Sequence, residues 1–289
     1  MTSRENWIAG ARPKTLVAAI APVMVGTAFA GYDAEVTNFL LALIVGLALQ
    51  VGVNYANDYS DGIKGTDNDR IGPMRLVGSG AASPESVKRA AYLSFLLAAV
   101  AGLILSARTN WLLILVGALA IIAAWTYTGG RKPYGYFALG EVAVFIFFGL
   151  VATIGTYYVQ VNSISLKVSL AAVAMGSLAS ALLVVNNLRD LAKDAAAGKI
   201  TLAVRLGDKR SRNLYKGLLL IPLLIAIFLL PASPYFLLAA AAAPLIRTSI
   251  KAVGSGASGS ALIELLAKTG RIQMIYGLAL SLASLIAAR

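Results

Sequence analysis

The sequence predicts an all-α, polytopic membrane protein, and its composition is the first reason. Of 289 residues, 58% are hydrophobic and 13% are charged, and the mean hydropathy is +0.77. Soluble domains carry about 25% charged residues, so a soluble fold could not hide this much apolar surface. There is no Cys and no His, which excludes disulfides, Cys-ligated metals and the commonest general base. Any chemistry must use carboxylates, cations, amides, tyrosines or a hard metal ion.

The second reason is a series of nine apolar runs, most of them long enough to cross about 30 Å of hydrocarbon as helices. Pro231 and Pro234 separate the short seventh and eighth runs, which we expect to be two spans rather than one re-entrant pair. The first run is expected to be a retained helix. The runs lie at about 16–32, 38–56, 90–107, 111–128, 138–158, 168–188, 217–230, 235–250 and 272–288.

The third reason is the placement of basic residues. With nine spans and the N-terminus in the cytoplasm, 22 of the 25 Lys and Arg residues fall on the cytoplasmic side. This asymmetry follows the positive-inside rule. The net charge of +12 is then explained by a rim that faces anionic lipid headgroups, and no nucleic-acid partner is needed. We expect a single transmembrane domain, 1–289, in the bilayer.

Acidic residues are scarce, yet seven of the 13 fall in two stretches, Asp58 to Asp69 and Asp190 to Asp208. Both are predicted to belong to cytoplasmic loops, 57–89 and 189–216. Within each stretch, amides and carboxylates recur every four residues, which would align them on one face of a helix that continued into the loop. The aligned residues are Asn54 with Asp58, Asn57 with Asp61, and Asn186 with Asp190 and Asp194.

Carboxylates that converge from two such faces favour Mg²⁺, which prefers hard oxygen ligands and is completed by water and phosphate. A magnesium–diphosphate clamp is therefore the functional hypothesis, against the alternative that each Asp only caps a helix or solvates a loop. Basic residues close to these motifs and to Tyr127 suit a polyanion. Those favoured as diphosphate ligands are Arg75, Lys199 and Arg131, with Lys132 beside Arg131.

At these residues the sequence resembles the UbiA-type intramembrane prenyltransferases, and within them the branch that prenylates 1,4-dihydroxy-2-naphthoate in menaquinone synthesis. The resemblance covers about residues 7–216. It is carried by Ala11-Arg-Pro-Lys-Thr-Leu16, Asn54-Tyr-Ala-Asn-Asp-Tyr-Ser-Asp-Gly-Ile-Lys-Gly-Thr-Asp67 with Asp69-Arg-Ile-Gly-Pro73, Tyr127-Thr-Gly-Gly-Arg-Lys-Pro-Tyr-Gly-Tyr136, and Asn186-Asn-Leu-Arg-Asp-Leu-Ala-Lys-Asp194 with Lys199-Ile-Thr-Leu-Ala-Val-Arg-Leu-Gly207.

The resemblance implies nine helices around a central cavity in a bacterial cell membrane, with the active site facing the cytoplasm. It implies that Mg²⁺, held by Asp61, Asp67, Asp190 and Asp194, binds the diphosphate of a polyprenyl donor. The family's third acidic position in the first motif is Gly65 here, so the role passes to Asp67, two residues later. The family's Tyr-x-x-x-Lys is Tyr127 with Arg131, or with Lys132 one step on.

The implied reaction replaces the carboxylate of dihydroxynaphthoate with the polyprenyl group and releases CO₂ and diphosphate. Tyr127 would shelter an allylic cation, and Asn57, Asp58, Asn186 and Asn187 would help to bind the donor. Arg12 and Lys14 would hold the acceptor's carboxylate, or serve only as interfacial anchors. The alternatives are another aromatic acceptor (4-hydroxybenzoate or homogentisate), a secondary transporter, and a CDP-alcohol phosphotransferase, whose Asp-Gly-x-x-Ala-Arg pattern is missing at Asp61-Gly62.

Overall fold

The computed structural model describes residues 2–65 and 74–288, and this part of the chain is a bundle of helices. We number ten of them. They are α1 Arg4–Ala11, α2 Val17–Phe29, α3 Val36–Ile63, α4 Pro84–Arg108, α5 Leu113–Thr126, α6 Gly140–Val161, α7 Leu166–Ala196, α8 Leu202–Leu229, α9 Pro234–Gly254 and α10 Ser260–Ala287.

Each of the nine predicted apolar runs coincides with one of the helices α2 to α10. In the described residues, seven helices are long and apolar enough to cross a membrane, namely α3, α4 and α6 to α10. The segment Arg4–Thr15 and α2 meet the same test together as one span bent by 51°, whereas α5, Leu113–Thr126, is shorter. The bundle is therefore confirmed, and the count of nine spans stays a prediction.

Both predicted loops, 57–89 and 189–216, begin and end in helices, which corrects their extent. Helix α3 continues to Ile63 and α4 begins at Pro84, while α7 continues to Ala196 and α8 begins at Leu202. Both acidic motifs therefore lie on the ends of long helices, the arrangement that their four-residue spacing requires. A run defined by hydropathy ends at the last apolar residue. Here each helix continues through the polar residues that follow, because none of them breaks it.

Helix α7 forms the centre of the bundle, with 72% of its apolar window buried. Its small residues allow neighbouring helices to come close, as is common in membranes. A Cβ on Gly149 of α6 would collide with the backbone of Gly176 on α7. This contact lies in a π-helical turn, Phe145–Val151. The close packing fixes the position of α6 relative to the motif on α7.

The N-terminal segment bends where Arg12 adopts a left-handed conformation (φ 53°) and Pro13 follows. Proline cannot continue the preceding helix, because its ring excludes the backbone hydrogen bond. Helix α1 is then held against α3 by hydrogen bonds from Tyr55 Oη to the Trp7 carbonyl (2.8 Å) and from Asn54 Nδ2 to the Ala11 carbonyl (2.9 Å). The start of the chain is thereby placed beside the first acidic motif.

The opposite end of the bundle is tied by an exposed polar cluster. Arg108 Nη2 donates to Glu35 Oε2 at 2.7 Å, and Arg108 Nε donates to Asn38 Oδ1 at 2.8 Å. The side chains of Arg108 and Glu35 are 41% and 59% exposed. An exposed ion pair of this kind contributes little stability, so Glu35 offers a site for control substitutions.

Candidate functional site

The first acidic motif lies on the last two turns of α3 and is buried. Asp61 is 2% exposed, and its two oxygens are bound from distant parts of the chain. Tyr136 Oη donates to Asp61 Oδ1 at 2.9 Å, and Lys199 Nζ donates to Asp61 Oδ2 at 3.2 Å. A buried carboxylate needs such charge-assisted hydrogen bonds. Asp61 is therefore the point at which three separate segments of the chain meet.

The ring of Tyr136 is approached by two ammonium groups. Lys64 Nζ is 4.7 Å and Lys199 Nζ is 5.2 Å from the ring centroid, within the range of cation–π attraction. Lys64 also donates to the Thr128 carbonyl at 2.8 Å. Desolvation lowers the pKa of the Lys64 ammonium, Asp61 raises it, and Lys199 lowers it further. Lys64 and Lys199 thus lie close to Asp61, where both could bind a polyanion.

Other residues of this motif have structural partners. Asp58 is fully buried, and its two oxygens accept the backbone N–H groups of Leu76 (2.8 Å) and Val77 (3.0 Å). It therefore anchors the chain that returns after the motif, and its role as a diphosphate ligand stays a prediction. Asn57 Oδ1 accepts a hydrogen bond from Thr128 Oγ1 at 2.7 Å, so this amide joins α3 to the segment after Tyr127.

The second acidic motif lies on the last turns of α7. Asp190 accepts two hydrogen bonds from its neighbour Arg189, at 2.8 Å from Nε and 2.7 Å from Nη2. Both side chains are largely buried, at 9% and 2% exposed. Arg189 also donates to Asn186 Oδ1 at 2.9 Å. This amide is therefore bound within its own helix, and its role as a diphosphate ligand stays a prediction.

Asn187, the other predicted amide of this motif, points to a different partner. Its Nδ2 donates to Glu141 Oε1 at 2.9 Å, and both residues are buried. This contact joins α7 to the start of α6. Sequence analysis did not assign a role to Glu141.

Lys199 connects the two motifs. Its backbone N–H donates to the Asp194 carbonyl at 2.8 Å, while its Nζ binds Asp61. In residues 2–65 and 74–288, no three acidic residues are close enough together to hold a metal by themselves. Asp67, the fourth predicted metal ligand, lies outside the described residues. The structure therefore brings the motifs together through a lysine.

The segment from Tyr127 to Gly140 wraps around the ring of Tyr127. The Gly135 N–H donates to the Tyr127 carbonyl at 2.9 Å, and a Cβ on Gly135 or Gly140 would press against the Tyr127 ring. Tyr134 contacts the same ring edge-on, with 5.5 Å between centroids. Burial raises the pKa of Tyr134 to about 12. The glycines of this segment therefore make room for an aromatic residue at the site.

The basic residues predicted to bind the diphosphate differ in how deeply they are buried. Arg75 is buried at 7% exposure, whereas Arg131 and Lys132 are exposed. Arg131 faces an open cavity of about 350 Å³ beside the acidic site, which is also lined by Arg205 and Tyr136. The remaining lining residues of this cavity are Pro133, Phe137, Ala138, Gly198 and Ile200. Arg131 thus lies at the rim, with Tyr136 between this cavity and Asp61.

Arg12 and Lys14 differ in the same way. Arg12 Nη2 donates to the Asn54 carbonyl at 3.4 Å, beside the first motif, whereas Lys14 is exposed. Sequence reasoning missed two residues of the site, Tyr136 and Thr128. Both lie in the predicted Tyr127 segment, and no local signal in the sequence distinguishes Tyr136 from Tyr134.

The arrangement suits the binding of a polyanion. Buried carboxylates from two helices, cations that already neutralise them, and aromatic rings are grouped at one end of an apolar bundle. The family model described as UbiA prenyltransferase family matches residues 19–252. A 1,4-dihydroxy-2-naphthoate octaprenyltransferase of Mycobacterium tuberculosis is 50% identical over 97% of both chains. The Escherichia coli protein of that name is 41% identical over 75% of this chain and 73% of its own.

Solved structures show the same fold at low sequence identity. The apo structure of a UbiA homolog from Aeropyrum pernix K1 matches with a TM-score of 0.74 and 16% identity, covering 93% of this chain and 97% of that one. A UbiA homolog from Archaeoglobus fulgidus, bound to DMAPP and Mg²⁺, matches at 0.67 and 15% identity, covering 95% and 98%. The protein is thus an integral membrane protein, and the chain belongs to the UbiA prenyltransferase family.

Proposed function

We propose that the protein transfers a polyprenyl group from polyprenyl diphosphate to 1,4-dihydroxy-2-naphthoate, with loss of CO₂ and diphosphate, to give demethylmenaquinol in menaquinone biosynthesis. The acceptor is supported by the relatives that carry this enzyme name at 50% and 47% identity over 97% of the chain. Family membership decides against the transporter and the CDP-alcohol phosphotransferase.

One observation carries the chemistry, namely that the two acidic motifs meet at Lys199. Its side chain binds Asp61 of the first motif, and its backbone binds the Asp194 carbonyl of the second. The two motifs are 129 residues apart from Asp61 to Asp190 in the sequence, so their meeting requires the whole fold. A diphosphate at this point would have carboxylates and cations on opposite sides.

The donor set fits Mg²⁺, because carboxylate oxygens are the ligands that this hard cation prefers. Asp61, Asp67, Asp190 and Asp194 would hold it. When bound, Mg²⁺ supplies positive charge that stabilises the departing diphosphate. The A. fulgidus homolog, whose structure contains DMAPP and Mg²⁺, supports the same pairing of metal and prenyl diphosphate.

The basic side chains of the protein bind the phosphate oxygens of the donor. Lys199 and Lys64 already lie beside Asp61, and we assign both to the phosphate oxygens, together with the buried Arg75. Charge that develops on a leaving group is stabilised best by groups that are already in place. Arg131 and Lys132 at the rim attract the diphosphate as it enters.

The remaining residues contact the polyprenyl group of the donor and the aromatic acceptor. We assign the Tyr127 ring to the allylic cation, which a π face attracts by about 0.5–2 kcal/mol. Asn187 positions its neighbour on α6. Arg12, held beside the first motif, binds the acceptor's carboxylate with Lys14. The polyprenyl tail lies among the apolar helices.

We also propose that the protein lies in the bacterial plasma membrane, with the site facing the cytoplasm. The distribution of basic residues supports this orientation, because 22 of 25 fall on the cytoplasmic side when the nine apolar runs are taken as spans.

The test uses purified protein in lipid nanodiscs with a polyprenyl diphosphate, dihydroxynaphthoate and Mg²⁺. We expect quinol product and CO₂ in equal amounts, both abolished by a metal chelator and restored by added Mg²⁺. Asp61→Ala and Asp190→Ala are expected to abolish turnover, whereas Glu35→Gln at the opposite end keeps it.

The acceptor is tested separately. Prenylation of 4-hydroxybenzoate or homogentisate in place of dihydroxynaphthoate would overturn the proposed acceptor and keep the reaction class. Product formation that is unaffected by Asp61→Ala and Asp190→Ala would contradict the proposed site.

A further inference from the structure

Glu141 is a buried acid that the proposed chemistry has not used. It is 5% exposed at the first turn of α6. Oε1 accepts a hydrogen bond from Asn187, whereas Oε2 has no hydrogen-bond partner among residues 2–65 and 74–288. Acids inside membrane spans are costly and usually functional. A purely structural role would explain the hydrogen bond of Oε1 but not the burial of Oε2 without a hydrogen-bond partner.

Its backbone is held as firmly as its side chain. Ser180 Oγ donates to the Glu141 carbonyl at 3.0 Å, two turns along α7 from Asn187. Helix α7 therefore fixes both the start of α6 and the direction of the carboxyl group. A side chain bound at two levels of one helix is well suited to a precise task.

The position along α7 gives the depth of Glu141 relative to the diphosphate site. Asn187, which binds Glu141, precedes Asp190 by three residues and Asp194 by seven. With a rise of about 1.5 Å per residue, Asn187 and the Glu141 carboxylate that it binds lie about 5 Å deeper than Asp190 and about 10 Å deeper than Asp194. The allylic carbon is bonded directly to a diphosphate oxygen. A donor held by these aspartates therefore places its reacting carbon near the level of Glu141.

Tyr127 lies at the same level. A Cβ on Gly140, the residue before Glu141, would be 3.1 Å from Tyr127 Cε2 and 3.4 Å from its Oη. The aromatic ring that we assign to the allylic cation and the half-bound carboxyl group are therefore neighbours. An aromatic acceptor that reaches the allylic carbon must pass beside both.

We propose that Glu141 binds the ring hydroxyl next to the acceptor's carboxylate and takes its proton during the reaction. This inference rests on the proposed function. The hydroxyl O–H bond breaks and its proton moves to Glu141 Oε2. The electron pair released into the ring forms the new C–C bond to the allylic carbon, and the C–O bond of the donor breaks with its pair leaving on diphosphate.

The adduct is a ketone with a carboxylate on the adjacent carbon. The bond to that carboxylate breaks, CO₂ leaves, and its electron pair restores the aromatic ring as a phenolate. Glu141 then returns its proton to the phenolate oxygen. The residue ends as it began, and no oxidant or reductant is required.

The hydroxyl is a better partner for Glu141 than the allylic cation itself. A carboxylate with an open lone pair next to a bare carbocation would form an ester with it. A hydrogen bond from the acceptor occupies that lone pair, so the oxygen is shielded when the acceptor is present. Glu141 can therefore remove the hydroxyl proton only when the acceptor is bound.

The experiment separates the acceptor from the donor. Wild type, Glu141→Gln and the matched control Glu35→Gln are assayed in nanodiscs with a donor that carries ¹⁸O in its bridging position. Product formation reports the whole reaction. Movement of the ¹⁸O to non-bridging positions reports reversible C–O cleavage, and it can be measured without acceptor.

We expect Glu141→Gln to lower kcat for product about 100-fold or more, the usual contribution of a general base, while ¹⁸O movement stays within about threefold of wild type. Glutamine retains the shape and can still accept from Asn187. Glu35→Gln is expected to keep both rates. The inference is wrong if Glu141→Gln forms product at nearly the wild-type rate, or if ¹⁸O movement falls in parallel with product.

A second acceptor identifies the atom. Dihydroxynaphthoate methylated on the hydroxyl next to its carboxylate has no proton to give. We expect wild type to use it as poorly as Glu141→Gln uses the natural acceptor, and the two changes together to cost little more than either alone. Multiplying effects would contradict the inference.

Two further measurements distinguish failure of this inference from a folding defect and from failure of the proposed function. If Glu141→Gln does not fold, as shown by lost ¹⁸O movement and an early melting transition, Glu141→Asp is used with the same expectation, because its carboxyl group is one methylene too short. If wild type moves ¹⁸O but never prenylates dihydroxynaphthoate, the proposed function fails, and this result is visible before any variant is compared.

Discussion

The two acidic motifs look alike in the sequence but are held in different ways. Asp61 of the first motif is bound by Tyr136 and Lys199, which are 75 and 138 residues away. Asp190 of the second motif is bound by Arg189, its immediate neighbour. One carboxylate is therefore connected by the tertiary fold, and the other carries its counter-ion on its own helix.

The exposure of the counter-ions differs too. The Lys199 side chain is 15% exposed, whereas that of Arg189 is 2% exposed. A lysine at the edge can turn to a ligand or to water, but a buried arginine cannot leave its partner without a large desolvation cost. We infer that the first motif is adapted to exchange partners and the second to stay in place.

The largest effect is expected from Asp61→Asn. The amide keeps the shape but removes the charge that gathers Lys199 and Tyr136, so we expect activity to fall by about 10³-fold, the upper range for loss of a preorganised electrostatic group. Melting temperature is expected to change little because Lys199 can reach water. Product assays and thermal unfolding of the same preparation check both parts. A large loss of stability would contradict the comparison.

The next effect is on stability. Asp190→Asn leaves a buried guanidinium beside an uncharged amide, and removing one partner of a buried pair costs about 3–5 kcal/mol. We therefore expect a clearly lower unfolding temperature than for Asp61→Asn. The matched double variant Arg189→Leu with Asp190→Leu removes both charges and is expected to recover much of this loss. Equal melting temperatures for the two single variants would remove the distinction between the motifs.

A smaller effect is expected from Tyr136→Phe. This change removes one donor to Asp61 and keeps the ring that both lysines approach. The net contribution of one hydrogen bond to a charged group is about 1.5–3 kcal/mol, so we expect activity to fall about tenfold or somewhat more. Tyr136→Leu removes the ring as well and is expected to cost more. Steady-state kinetics of the pair separates the hydroxyl from the ring.

The smallest effect concerns pH and the buried Tyr134. Its folded-state pKa is raised from 10.0 to about 12, so its contribution to stability is complete below pH 10 and is lost as the pH rises through 12. At pH 11 this loss amounts to about 1 kcal/mol. Melting curves at pH 8 and pH 11 are expected to differ more for wild type than for Tyr134→Phe. An identical shift in both proteins would contradict the assignment.

Much of the fold was predictable, because nine apolar runs reappear as helices and the four-residue spacing of the motifs required the helices to continue. The helix ends were not predictable from hydropathy, since polar residues at Asn54 to Asp61 remain helical. The bend before Pro13 shows the reverse case, in which a single proline decides the backbone locally.

The site was only partly predictable, because spacing reveals which residues share a helix face but not what they contact. Asp58 and Asp61 are equivalent in the sequence pattern, yet one binds backbone amides at 76–77 and the other binds Lys199. Tyr136 was not assigned because nothing local distinguishes it from Tyr134. Only the packing of the loop after Tyr127 places it against Asp61.

The single lysine shared by the two motifs has a thermodynamic consequence. Lys199 Nζ now neutralises Asp61, and a metal cation on Asp61 would release that charge to a phosphate oxygen. A donor that captures the lysine would in turn leave Asp61 open to the cation. Metal and donor are thus expected to bind with positive cooperativity, and each raises the other's affinity by the same factor. We therefore expect the protein to bind the metal ion or the donor weakly when either is alone, and both tightly when they are present together.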